Sequence, residues 1–201
     1  MSRRLGVFRR LEALYARMQR EYDAAARPLS FTCAGCPQNC CTSFFQHHTY
    51  VEWAFLWKGV AALPAGQREA FLARARDYVD AARAALARGE TPAAMCPLIT
   101  QEGEEGGGGR CGLYAHRLMI CRLHGVSHVL QTPGRPAQSF PGCWRHQELA
   151  AAAGQAPVLD RTPLYRELAA LERDFLGPRA GRLPRVDLTL AEMLVQGPPS
   201  I

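Results

Sequence analysis

Lysine is almost missing from this 201-residue chain: Lys58 stands alone among 24 basic residues, and the rest are arginine. That bias reflects GC-rich coding as much as any anionic partner. No apolar run approaches the ~18–20 residues that cross a bilayer, and the start MSRRLGVFRRLEAL breaks its apolar positions with arginines, so no signal-peptide core is present. Glu12, Glu21 and Asp23 argue against an organellar transit peptide in the same stretch. The expected location is the cytoplasm, without membrane contact. Also lacking are a Gly-Lys-Ser/Thr after Gly106 to Gly109, a Ser-His-Asp order, a defensible pair of catalytic carboxylates and a dinucleotide fingerprint. Enzyme status is therefore undecided. Disorder is excluded by a composition 48% hydrophobic and 21% charged.

What the chain does have is eight cysteines. In the cytosol thiols stay reduced, so a disulfide framework is a poor account of them and metal binding a better one. Cys33, Cys36, Cys40 and Cys41 crowd into nine residues of CAGCPQNCC; Cys96, Cys111, Cys121 and Cys143 follow at intervals. Any one cysteine, Cys143 especially, could be a small buried apolar residue. Four thiols in a loop holding Gly and Pro have no such explanation. Zinc ribbons present two C-x2-C knuckles and this chain has one, Cys33 to Cys36. Iron–sulfur sites combine a tight cysteine run with a distant cysteine, often beside proline, and here Pro37 follows Cys36 and Pro97 follows Cys96. A 4Fe-4S cluster is favoured, with zinc as the alternative. Adjacent Cys40 and Cys41 diverge, so they can serve different centres or different irons. The formal charge of +6 counts every thiol as neutral. Each four-thiolate site around a 2+ centre contributes −2, so two would leave about +2.

Around the cysteines the pattern is helical. Leu5, Phe8, Leu11, Leu14, Tyr15, Met18 and Tyr22 recur at three- and four-residue steps and predict an amphipathic helix from Ser2 to about Arg27. Thr49 with Glu52 has capping-box spacing for a helix running to Pro64. Pro64 opens another, with Phe71, Leu72, Ala75, Tyr78, Val79, Ala82 and Leu86 as its buried stripe and Gly89 as its stop. Trp53, Phe55, Leu56 and Trp57 read as core. Short strands are expected near Gly112 to Tyr114 and Val126 to Gln131, with a turn at Thr132 to Arg135. The tail predicts helices at His146 to Ala153, from Thr162–Pro163 through Phe175, and from Thr189–Glu192 through Val195. The run Gly106 to Gly109, beside Glu102, Glu104 and Glu105, reads as a connector.

The motifs CAGCPQNCC, CPLI at Cys96 and CGLYAHRLMICR from Cys111 to Arg122 resemble the YkgJ-like cysteine-cluster proteins, described as a zinc- or iron-chelating domain. The resemblance covers about Phe31 to Gly125. It implies ligand positions for Cys33, Cys36, Cys40, Cys41, Cys96, Cys111 and Cys121, and matches Tyr114, Arg117 and Arg122 to recurrent aromatic and basic positions. Two features depart from the family pattern: three residues rather than two precede the Cys-Cys pair, and Leu118 stands where proline is usual after arginine.

The expected fold is mostly α, a single domain over 1–201 with irregular cysteine-rich metal-binding loops and little strand. Its parts are an N-terminal helix (1–30), a cysteine core (31–145) with inserted helices (49–89), and C-terminal helices (146–201). The expected function is a metal-binding protein holding an iron–sulfur cluster through all or most of the eight cysteines, Cys143 included. Arg117 and Arg122 are candidate hydrogen-bond donors to its sulfurs. Of the histidines His47, His48, His116, His124, His128 and His146, His124 lies nearest a ligand in sequence, three residues after Cys121. The alternative is a zinc-stabilised interaction module whose Arg3, Arg4, Arg9, Arg10, Arg17 and Arg20 bind nucleic acid or an acidic protein; a metal-dependent transferase ranks third. The partner expected is the metal or cluster, not nucleic acid: Glu12, Glu21 and Asp23 interrupt the arginines, and the apolar stripe looks inward as a brace.

Overall fold

The computed structural model describes residues 2–33, 36, 40–101, 109–155 and 157–201, apart from the side chains of Ser2, Arg3, Cys40 and Gln101. Its α-helices are α1 Ser2–Ala26, α2 Tyr50–Ala61, α3 Ala65–Ala87, α4 Met119–Leu123, α5 Trp144–Ala153, α6 Thr162–Leu176 and α7 Leu190–Gln196. The strands are short: β1 Ile99–Gln101, β2 Gly109–Cys111, β3 His128–Leu130, β4 Gln138–Phe140 and β5 Leu159–Asp160. The chain is thus mostly α with little strand. No described helix is long and apolar enough to cross a membrane. Contacts group the residues into two compact units, Met1–Cys36 with Met119–Gly177 and Pro37–Leu118 with Pro178–Ile201.

In the first unit α1 packs along α6. Val7, Leu11, Leu14, Tyr15 and Met18 lie at helical spacing on one face, all at 4% exposure or less, and α6 answers with Leu164, Leu168, Leu171 and Phe175. Leu5, expected in this stripe, is 52% exposed. Phe8 and Phe175 bring their rings to 5.8 Å. Arg10 donates to Asp174 at 2.6 Å and Arg17 to Glu167 at 2.8 Å. Such exposed pairs stabilise by about 0–1 kcal/mol each, so the apolar seam carries the packing. Strand β3 lies between β4, paired antiparallel (His128↔Phe140), and β5, paired parallel (His128↔Leu159). Thr162, expected to cap α6, is its first residue: its N–H donates to the Asp160 carboxylate, and its hydroxyl accepts from Gln131 N–H.

In the second unit α3 packs on α7, and β1 pairs antiparallel with β2. The strand expected at Gly112 to Tyr114 is displaced to Gly109–Cys111, because the pairing follows the register Ile99↔Cys111 and Gly112 begins a turn. Thr49 precedes α2, but its hydroxyl donates to the Glu52 carboxylate at 2.9 Å and caps no backbone N–H. A complete capping box forms at Thr189 and Glu192 instead. Trp53 and Trp57 satisfy the end of α7, their indole N–H groups donating to Met193 O at 3.1 and 2.9 Å. Phe71, Ala75, Tyr78, Val79 and Ala82 form the buried stripe of α3; Leu86 is 54% exposed and Ala85 takes the inward position.

Candidate metal site

Seven described cysteines, Cys33, Cys36, Cys41, Cys96, Cys111, Cys121 and Cys143, are thiols outside any disulfide. Cys33 is exposed and the other six half-buried, a setting in which thiolates can meet a metal without being sealed in a core. Cys143 is therefore not a fully buried apolar filler. It stands at the N-cap of α5 with its backbone N–H on Gly125 O at 2.9 Å.

Gly125 is the junction of the cysteines in the first unit. Its carbonyl holds Cys143, and Tyr22 and Phe31 close directly against its Cα. Phe31 leads within two residues to Cys33, whose carbonyl accepts the Cys36 N–H at 3.2 Å. Cys121 lies on α4 one helical turn ahead of Gly125, held there by the buried Leu118, Met119 and Leu123. Leu118 is fully buried and so belongs to the core. Phe31 also meets the His146 ring edge-on at 5.4 Å.

In the second unit the junction is Cys96. Its N–H donates to Cys41 O at 2.9 Å, which ties the first cysteine run to CPLI, and its own carbonyl accepts Ile99 N–H. Ile99 pairs with Cys111 across the β1–β2 ladder. Helix α3 reaches this corner through Arg74, which donates to Pro97 O at 2.9 Å. Burial, then the charges of Cys96 and Glu192, push the Tyr78 hydroxyl above its usual pKa.

Among the described residues no three His, Cys, Asp or Glu side chains already converge closely enough to hold a metal ion. Residues 34–35 and 37–39 and the Cys40 side chain, between the first ligand candidates, lie outside the described residues. Thiolates are donors that a thiophilic metal takes. Compared with family models, curated proteins and solved structures, the chain matches none.

Arg117 and Arg122, the expected donors to the sulfurs, lay their guanidinium groups on tyrosine faces, at 3.7 Å from the Tyr114 centroid and 4.1 Å from that of Tyr15. The histidines divide by environment. His48 is exposed beside Asp187, while His116 packs on Phe55 at 4.7 Å. His47 is buried, and that burial, with His48 next to it, drives its pKa down to about 3. His128 falls to about 4, from burial first and then the Arg161 charge. Burial also lowers His124.

His146 is the residue whose setting the sequence concealed. It is fully buried. Ser127 donates its hydroxyl proton to Pro141 O at 2.7 Å, so the His146 Nδ1 at 3.3 Å is assigned as the N–H that donates to Ser127 Oγ. Nε2 is then a bare acceptor, with no hydrogen bond. Its i+3 spacing from Cys143 was the only sequence signal. The Gly106 to Gly109 connector lies outside the described residues except for Gly109, which opens β2.

Proposed function

We propose that the chain is a metal-binding protein whose cysteine thiolates hold an iron–sulfur cluster. The observation carrying this reading is the 2.9 Å hydrogen bond from Cys96 N–H to Cys41 O, which draws together two cysteine regions far apart in sequence. A buried core needs no such gathering of half-buried thiols, whereas a metal centre does. The single C-x2-C knuckle, the prolines beside Cys36 and Cys96 and the resemblance to YkgJ-like cysteine-cluster proteins support the same reading. The candidate ligands are Cys33, Cys36, Cys40, Cys41, Cys96, Cys111, Cys121 and Cys143, of which one cluster takes four. A cluster bound there would supply a one-electron couple. The chain's own contribution is to fix the thiolates on short turns and helix ends. Arg74 ties Pro97 next to Cys96.

The arginines of α1 favour bracing over nucleic-acid recognition. Arg10 and Arg17 are engaged with Asp174 and Glu167, and Arg4 lies over the Phe175 ring at 5.6 Å. The test is anaerobic purification followed by a visible spectrum and analysis for iron, sulfide and zinc. Coloured protein with iron and acid-labile sulfide is expected. Colourless protein with stoichiometric zinc and no sulfide replaces the cluster by a structural zinc; protein with no bound metal refutes the reading.

A further inference from the structure

A buried cation in the first unit lacks a counter-charge. Arg161 directly follows β5 at 4% exposure, its backbone N–H donating to Val129 O at 2.9 Å. Its guanidinium lies over two rings, 4.6 Å from the Phe140 centroid and 5.0 Å from that of Tyr165. Nη1 reaches the Tyr165 hydroxyl only at a long 3.5 Å, and the buried Nε has no acceptor among the described residues. Burial lowers the Arg161 pKa, and Tyr165 alone acts the other way, so no described carboxylate compensates the charge. Asp160, its neighbour in sequence, accepts instead from Thr162 N–H at 2.9 Å.

A second nitrogen without a partner lies against the same ring. His128 is 7% exposed, its ring is 4.8 Å from that of Phe140, and its Nδ1 makes no hydrogen bond among the described residues. Strand geometry brings these groups to one side of the sheet. His128 is in register with Phe140 on β4 and with Leu159 on β5, and Arg161, two residues beyond Leu159, returns to the face of Leu159. We propose that Arg161 and His128 form a binding site for a small oxyanion, the carboxylate or phosphate group of a low-molecular-weight ligand. The oxyanion accepts from Arg161 Nε–H and, in the Nδ1–H tautomer, from His128. A guanidinium suits either group because its planar fork of N–H donors matches two oxygens. The flanking rings hold that fork in place but give its Nε no acceptor, and buried charges and donors without partners are costly. Phe140 is itself 48% exposed, so the guanidinium lies directly beneath a surface ring. The site is separate from the cysteine chemistry and does not depend on the metal-binding reading.

The experiment is isothermal titration calorimetry of the full chain, as purified, with inorganic phosphate and with acetate as probes at constant ionic strength. Saturable one-to-one binding of at least one probe is expected, and the probe that binds identifies the oxyanion. Arg161→Lys keeps the charge but removes Nε–H, and His128→Phe keeps a ring but removes Nδ1; each should weaken binding about tenfold, the loss of one charge-assisted hydrogen bond. Arg9→Gln, an exposed arginine on α1, should leave affinity unchanged. Because a change at the buried Arg161 can unfold the chain, Phe140→Ala is the further variant. Its half-exposed ring is dispensable for folding, so circular dichroism should match wild type while affinity falls several-fold as the guanidinium loses its support. Heats that never saturate, or affinity unchanged in any folded variant among Arg161→Lys, His128→Phe and Phe140→Ala, overturn the proposal. Equal weakening in Arg9→Gln also overturns it, because general surface charge then explains the binding.

Discussion

Replacing Gly142 by alanine tests whether the Gly125 junction holds Cys143 in place. Gly142 has φ +85, where an L-residue costs about 1–2 kcal/mol. A Cβ there would lie 2.7 Å from Gly125 O, 2.8 Å from His146 Nδ1 and 3.0 Å from Ser127 N, two of them backbone atoms that cannot swing aside. The oxygen it strikes is the acceptor for Cys143 N–H. Relieving the overlap stretches or breaks that bond, adding about 1 kcal/mol. The expected total is about 2–3 kcal/mol. Gly134→Ala is the control: its φ is +73, but nothing lies within 4 Å of the added carbon, so only the backbone cost of about 1–2 kcal/mol applies. Urea unfolding of both variants, followed by far-ultraviolet circular dichroism at fixed metal content, gives the difference. Equal losses for the two variants would refute the close-packed junction and remove the anchor assigned to Cys143.

The remaining predictions concern the two units separately. His47 has a folded pKa of about 3 against about 6.5 unfolded, so the unfolded chain takes up the proton first as pH falls; this contribution is complete above about 6.5 and is lost towards 3. At pH 4.5 the loss is about 3 kcal/mol, and His47→Gln should shrink the stability gap between pH 7 and pH 4.5 by that amount; an unchanged gap contradicts the assignment. Thr189→Ala removes the capping box of α7 and should cost about 1 kcal/mol in urea midpoint terms, whereas a neutral result would show the box contributes nothing. Leu11→Ala should lose about 2–5 kcal/mol because the side chain is fully buried between α1 and its neighbours, while Leu5→Ala at 52% exposure should lose almost nothing. Similar losses at both positions would contradict the packed face of α1.

Short-range chemistry was legible in the linear chain. Thr189 with Glu192, the repeat from Leu11 to Met18 and the cysteine crowding at 33–41 each act within one or two turns, and the first two appear as a capping box and a buried helix face. Where a signal depended on surroundings, it misled. Leu5 and Leu86 keep the apolar period but have no partner covering them, and Thr49 gives its hydroxyl to Glu52 rather than receiving a backbone N–H. Strands β4 and β5 were invisible because three exposed residues and a two-residue segment carry no alternation; pairing with β3 defines them.

The sequence by itself determined that the chain is mostly helical and that its thiols are too concentrated to be core filler. Only the tertiary structure decided which cysteines are neighbours. Cys36 and Cys40 lie four positions apart yet fall in different units, while Cys41 and Cys96, separated by two whole helices, share a hydrogen bond. Proximity along the chain sets the cost of bringing residues together, but backbone hydrogen bonding brings Cys41 and Cys96 together across it.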